Sequence, residues 1–107
     1  MNALVETLAA DLPTFRSWRH HIHRNPELAF EERQTGTYVA DLLEGWGFEV
    51  ERGVGGTGVV ASLTAGTSPR AIALRADMDA LPVAEAGESD HRSIVAGRSH
   101  TCGHDGH

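Results

Sequence analysis

The sequence predicts an α/β fold from three observations: an apolar stripe at helical spacing over 3–23, a second such run over 31–46, and short strand-like runs beyond it separated by glycine-rich turns. In the first run the apolar residues are Leu4, Leu8, Leu12, Phe15, Trp18 and Ile22, in steps of four and three that draw one stripe on a helix. Pro13 removes a backbone donor inside this pattern, so the helix is expected to kink there or to restart with Asp11 as its cap.

The polar side of this helix ends in Arg19, His20, His21, His23 and Arg24. Cationic groups in a last turn are favoured by the helix dipole, which gives these histidines a structural role; His20 and His23 also share a face that would suit a metal, but lack a third donor nearby in sequence. Asn25-Pro26 breaks the helix, because the residue before proline is pushed out of helical torsions. The second run places Thr35, Tyr38, Val39, Leu42 and Trp46 on one side, with Glu31 and Glu32 in its first turn and Gly45 and Gly47 marking its end.

Phe48, Val50 and Arg52 alternate with glutamates, the pattern of a strand with one wet face. Val54-Gly55-Gly56-Thr57-Gly58 then reads as a turn into a second, antiparallel strand over 59–63. It is no phosphate loop, since it joins two strands, lacks the lysine and opens no helix. After the turn at 65–69, Ala-Ile-Ala-Leu within 70–76 has the composition of a strand covered on both faces. Asp77 and Asp79 stand at its carboxyl end, where open α/β sheets gather their ligand sites. They are either turn caps or members of a polar site, and proximity to the final segment separates the two readings. Residues 84–97 are polar and aperiodic, an exposed connection by pattern.

One domain is expected from 107 residues, and 40% hydrophobic with 22% charged is ordinary globular composition. A net charge of −6 spread along the chain argues against nucleic acid or an anionic membrane as partner, because both reward clustered positive charge. All nine basic residues are arginine, which excludes a lysine nucleophile from this segment. A single cysteine forms no internal disulfide, and neither a leader pattern nor an apolar run of about 18 residues is found, so a cytoplasmic protein is expected.

The chemistry concentrates at His100-Thr101-Cys102-Gly103-His104-Asp105-Gly106-His107, which holds the lone cysteine and three of the seven histidines. Cys102 and His104 stand close enough to reach one ion if Gly103 turns the backbone, and a thiolate with an imidazole suits zinc or a similar transition ion. Two donors do not complete a site, so the alternative of a buried small thiol beside solvated histidines stays open.

Four segments in this order resemble one family: His23-Arg24-Asn25-Pro26-Glu27-Leu28, Gly55-Gly56-Thr57-Gly58, Leu74-Arg75-Ala76-Asp77-Met78-Asp79-Ala80-Leu81-Pro82 and Cys102-Gly103-His104-Asp105-Gly106-His107. The chain is similar to the amidohydrolase branch of the metal-dependent peptidase and aminoacylase family, which includes hippurate hydrolase and N-acyl-amino-acid amidohydrolases. The resemblance implies the amino-terminal part of an α/β/α sandwich around a mixed sheet, incomplete here. Residues 1–107 would be the amino-terminal portion of the catalytic domain, with the lid domain absent. It further implies two divalent ions, zinc or manganese, per complete site, with Cys102 and His104 as metal ligands and Asp79 as the carboxylate that steadies them from behind. The role of Asp77 is left open.

The family's general base and remaining ligands would lie beyond His107. The implied reaction is hydrolysis of N-acyl (amide) bonds of N-acyl amino acids or small peptides, with this chain an incomplete half-site that is inactive alone. A non-catalytic metal-binding or assembly module and a plain thiol protein are the alternatives. Association into a homo-oligomer is compatible with each of them.

Overall fold

Asn2 opens the first helix in the computed structural model, which describes residues 2–107: its side-chain oxygen accepts the Leu4 N–H at 2.7 Å, and α1 runs Ala3–Ala10. Of the two outcomes expected at Pro13, a kink or a restart, the helix restarts, and the side chain of its N-cap residue Asp11 makes no capping hydrogen bond. Asp11 links the two, with its carbonyl accepting the N–H groups of Thr14 and Phe15, and α2 spans Leu12–Arg24 with Pro13 in its first turn, where a missing N–H costs nothing. The continuous stripe is not buried along its length: Leu4, Leu8 and Leu12 are 65%, 47% and 50% exposed, while Phe15, Trp18 and Ile22 are half-buried. Periodicity marks a face suited to burial, but among the described residues no element covers its first half.

The next helix, α3, spans Arg33–Gly45 and begins two residues later than the sequence pattern suggests. Glu32 is its N-cap residue, yet its carboxylate turns aside to accept the Phe30 N–H at 2.6 Å and the Thr57 hydroxyl. The helix N-terminus is served instead by Glu27, whose carboxylate accepts the N–H groups of Gln34 at 3.1 Å and Thr35 at 2.5 Å and the Thr35 hydroxyl at 2.6 Å. Rings join the helices, with Trp18 5.2 Å from Trp46 and His21 stacked 4.1 Å from Tyr38.

Strands β1 (Glu49–Val54) and β2 (Gly58–Ser62) form the expected antiparallel hairpin, in register from Glu49 opposite Ser62 to Val54 opposite Gly58, with an irregularity between Arg52 and Val54. α3 lies against this hairpin at Gly36, where a Cβ would come within 2.9 Å of the Thr57 carbonyl oxygen. Only glycine permits that approach.

Residues 70–76 do not form the buried strand predicted from their composition. Ile72 and Leu74 are 91% and 93% exposed, and the segment is irregular, without a ladder partner among the described residues. Apolar composition suits a central strand, but hydrogen-bonded neighbours on both sides make one.

Pairing resumes just beyond. Ala80 donates its N–H to the Glu27 carbonyl at 2.8 Å within a parallel bridge between Leu28 and Ala80, and Leu81 exchanges two 3.0 Å bonds with Ser99. Residues 80 and 81 therefore lie between the Asn-Pro-Glu-Leu segment and the final histidine-rich segment. Pro26, Ala80, Ser99, His100 and Asp105 are all buried around this junction. No described helix is long and apolar enough to cross a membrane.

Candidate metal centre

The junction at residues 80–81 sets Asp79 against the last turn of the chain. Gly103 adopts a left-handed conformation, φ 81°, and admits the 3-10 turn His104–Gly106. His104 Nδ1 lies 2.9 Å from Oδ1 of Asp79 and 3.0 Å from the Asp79 carbonyl oxygen. Both partners accept only, so Nδ1 carries the proton and the neutral ring keeps its lone pair on Nε2. A carboxylate behind Nδ1 with Nε2 free is the arrangement that orients metal-binding imidazoles.

Asp77 occupies the other side of this ring. Its Oδ1 receives an Arg75 Nη2 bond at 2.6 Å, and its Oδ2 lies 3.6 Å from His104 Nε2 and 3.8 Å from His107 Nδ1. The rings of His104 and His107 lie near-parallel, 5.7 Å apart. Both carboxylates face the final segment, the proximity by which the two readings of the acidic pair differ.

Cys102 is exposed, in the turn that leads into the 3-10 helix. Its thiol and the His104 ring have the donor chemistry of a zinc-type ion, while among the described residues no three acidic, histidine or cysteine side chains are grouped as a complete metal site. The residues present fit part of a centre.

Pattern reading assigned the histidines at the end of α2 a structural role in its last turn, and this does not describe His23. The residue is 7% exposed and its two ring nitrogens face Asp105 and Glu85, across 82 and 62 residues of sequence. His20 stacks on His91 at 3.9 Å. Burial, together with the charges of His91, Arg19, Arg16 and Arg24, holds the His20 pKa below 6.5. The 84–97 connection is correspondingly more than surface: Glu85, His91 and Ser93 turn inward. One signal for this was available, since Arg19 and His23 are four apart on one helical face and suit a shared acidic partner.

Buried beside this cluster, both ring nitrogens of His100 and Oδ1 of Asp105 lack a hydrogen-bond partner. Burial lowers the His100 pKa, Asp105 pulls it up, and the charges of His23 and His104 add to the lowering.

No family model matches the chain. Hippurate hydrolase of Campylobacter jejuni is 47% identical over 108 residues, covering 100% of this chain and 28% of that protein. Thermostable carboxypeptidase 2 of Saccharolobus solfataricus is 45% identical over 109 residues, covering 97% and 28%. Among solved structures, the Bacillus subtilis YxeP protein, a dinuclear metal-binding peptidase from the M20 family, superposes with a TM-score of 0.84 at 35% identity, over 91% of this chain and 27% of that one. The chain thus spans just over a quarter of the length of each of these three proteins.

Proposed function

This chain belongs to the M20 family of peptidases and amidohydrolases, and from that membership we propose that it carries one part of a metal-dependent hydrolytic site acting on N-acyl amino acids or small peptides. The observation that supports this reading most directly is the contact of His104 Nδ1 with the Asp79 carboxylate, which leaves Nε2 to bind. Cys102, as thiolate, and His104, through Nε2, would hold a divalent ion, zinc or manganese, in a centre of two ions; further ligands and a general base would have to come from outside these residues. Bound divalent ions lower the pKa of water toward about 7 and polarise the amide carbonyl.

The chain's own residues then have distinct tasks. Asp79 keeps the proton at His104 Nδ1 and stops the ring from turning. Arg75 partly neutralises Asp77, so the two carboxylates stand together beside His104 at lower repulsion.

Cobalt titration tests the assignment. A thiolate-to-cobalt absorption is expected for this chain and is lost in Cys102→Ser, while His104→Ala weakens binding. N-acetyl and N-benzoyl amino acids should not be turned over by this chain with zinc or manganese. Robust hydrolysis by these residues alone would overturn the half-site reading.

A further inference from the structure

A buried polar cluster lies behind the His104 turn and is built on the imidazole of His23. Nδ1 of His23 is 2.7 Å from Oδ2 of Asp105, and Nε2 is 2.5 Å from Oε1 of Glu85. The same Oδ2 of Asp105 lies 3.3 Å from Nε of Arg19, one turn earlier on α2. Glu85 also accepts the Ser93 N–H at 2.8 Å, which ties the 84–97 connection to the same point. Two remote stretches therefore converge on one ring of α2.

Asp105 directly follows His104 in the 3-10 turn. Consecutive side chains are gripped by different parts of the fold: His104 by Asp79, and Asp105 by two groups of α2. With both held, the turn cannot rotate about its axis without breaking one set. An acidic residue beside a metal-binding histidine is an obvious further ligand, but here its side chain is 1% exposed and Oδ2 already receives Arg19 and His23. Releasing it to bind an ion would leave a buried imidazole and a guanidinium without their acceptor, a costly exchange.

On the reading of His104 as a metal ligand, we infer that Asp105 is a positioning residue and not itself a ligand, and that Arg19, His23 and Glu85 form a brace that acts through it to fix the direction in which His104 presents Nε2. The brace also gives Arg19 and His23, two of the basic residues at the end of α2, a task at the turn that carries Cys102 and His104.

The test is cobalt binding by this chain, followed by competition with a chelator and by the ligand-field spectrum. His23→Gln and Asp105→Asn should each weaken cobalt about 10–100-fold, the cost typical of groups that orient a ligand, and alter the ligand-field bands without removing the thiolate absorption. Arg19→Leu, on the more exposed edge of the brace, should weaken binding with far-UV circular dichroism unchanged, and Arg19→Lys should restore it. If His23→Gln or Asp105→Asn does not fold, the two Arg19 variants decide. Wild-type affinity and spectrum in His23→Gln and Arg19→Leu would overturn the brace, as would an effect confined to Asp105→Asn, which marks a ligand. Absence of a thiolate-to-cobalt absorption in the wild-type chain would instead overturn the metal assignment of Cys102 and His104, and the brace with it.

Discussion

On the proposed reading of His104 as a metal ligand, a proton and a metal ion would compete for its Nε2. Desolvation pulls the pKa of this ring down, but the hydrogen bonds to the Asp79 carboxylate and carbonyl, with the charges of Asp79 and Asp77, outweigh it, and the net shift is upward from 6.5. The proton therefore competes at higher pH than it would for an ordinary imidazole. Asp79→Asn should move the midpoint of metal uptake to lower pH and, at mildly alkaline pH, weaken binding about 10–100-fold because the ring is no longer held. Metal titrations across pH read both effects, and an unmoved midpoint contradicts the role given to Asp79. In the metal-free chain the same shift stabilises the fold fully below 6.5, and that contribution is lost as pH rises through the elevated pKa.

At the level of elements, α3 depends on a cap supplied from outside its own first turn. Glu27 holds the Gln34 and Thr35 N–H groups with its carboxylate, while its carbonyl receives the Ala80 N–H. One residue thus closes a helix end and anchors the segment that carries Asp77 and Asp79. Glu27→Ala should cost about 1 kcal/mol, the usual worth of a helix cap with its dipole contribution, and Glu27→Gln less because one acceptor oxygen survives. Chemical denaturation measures both, and an alanine variant as stable as wild type would show that water replaces the cap at no cost. The contact of Trp18 with Trp46 joins α2 to the carboxyl end of α3.

The whole molecule is broader than its length warrants. Its radius of gyration is 15.6 Å, against about 13 Å expected for a compact domain of this size, and it measures 49 × 38 × 20 Å. Among the described residues only Ala40 and Ala80 are buried hydrophobics, while Ile72 and Leu74 project from a backbone segment without ladder partners. An unpaired segment with apolar side chains invites pairing with another copy. This chain is therefore expected to associate, with a melting transition that depends on concentration. Ile72→Glu with Leu74→Glu should reduce association in sedimentation velocity without lowering stability, because neither side chain is packed. A sharp melt independent of concentration would contradict this.

Local pattern was enough for the parts of this protein governed by near neighbours. Helical spacing located α2 and α3, Pro13 announced the restart, alternation with the glycine cluster located the hairpin, and the ordered motifs carried the family and the fold class. Long-range placement was beyond it. The apolar composition of 70–76 could not reveal whether partner strands lie beside it, and the stripe through Leu4 and Leu8 could not reveal whether anything covers it. His23 looked like a helix-end cation because its partners, Glu85 and Asp105, are distant in sequence and meet it only when residues 80 and 81 pair with both ends of the chain. Residue types and their spacing determined the chemistry on offer at Cys102, His104 and Asp79. The resemblance had already named Asp79 as the steadying carboxylate; only the tertiary fold decided that Asp105 is held by α2, because hydrogen bonds form between groups brought within about 3 Å, whatever their separation along the chain.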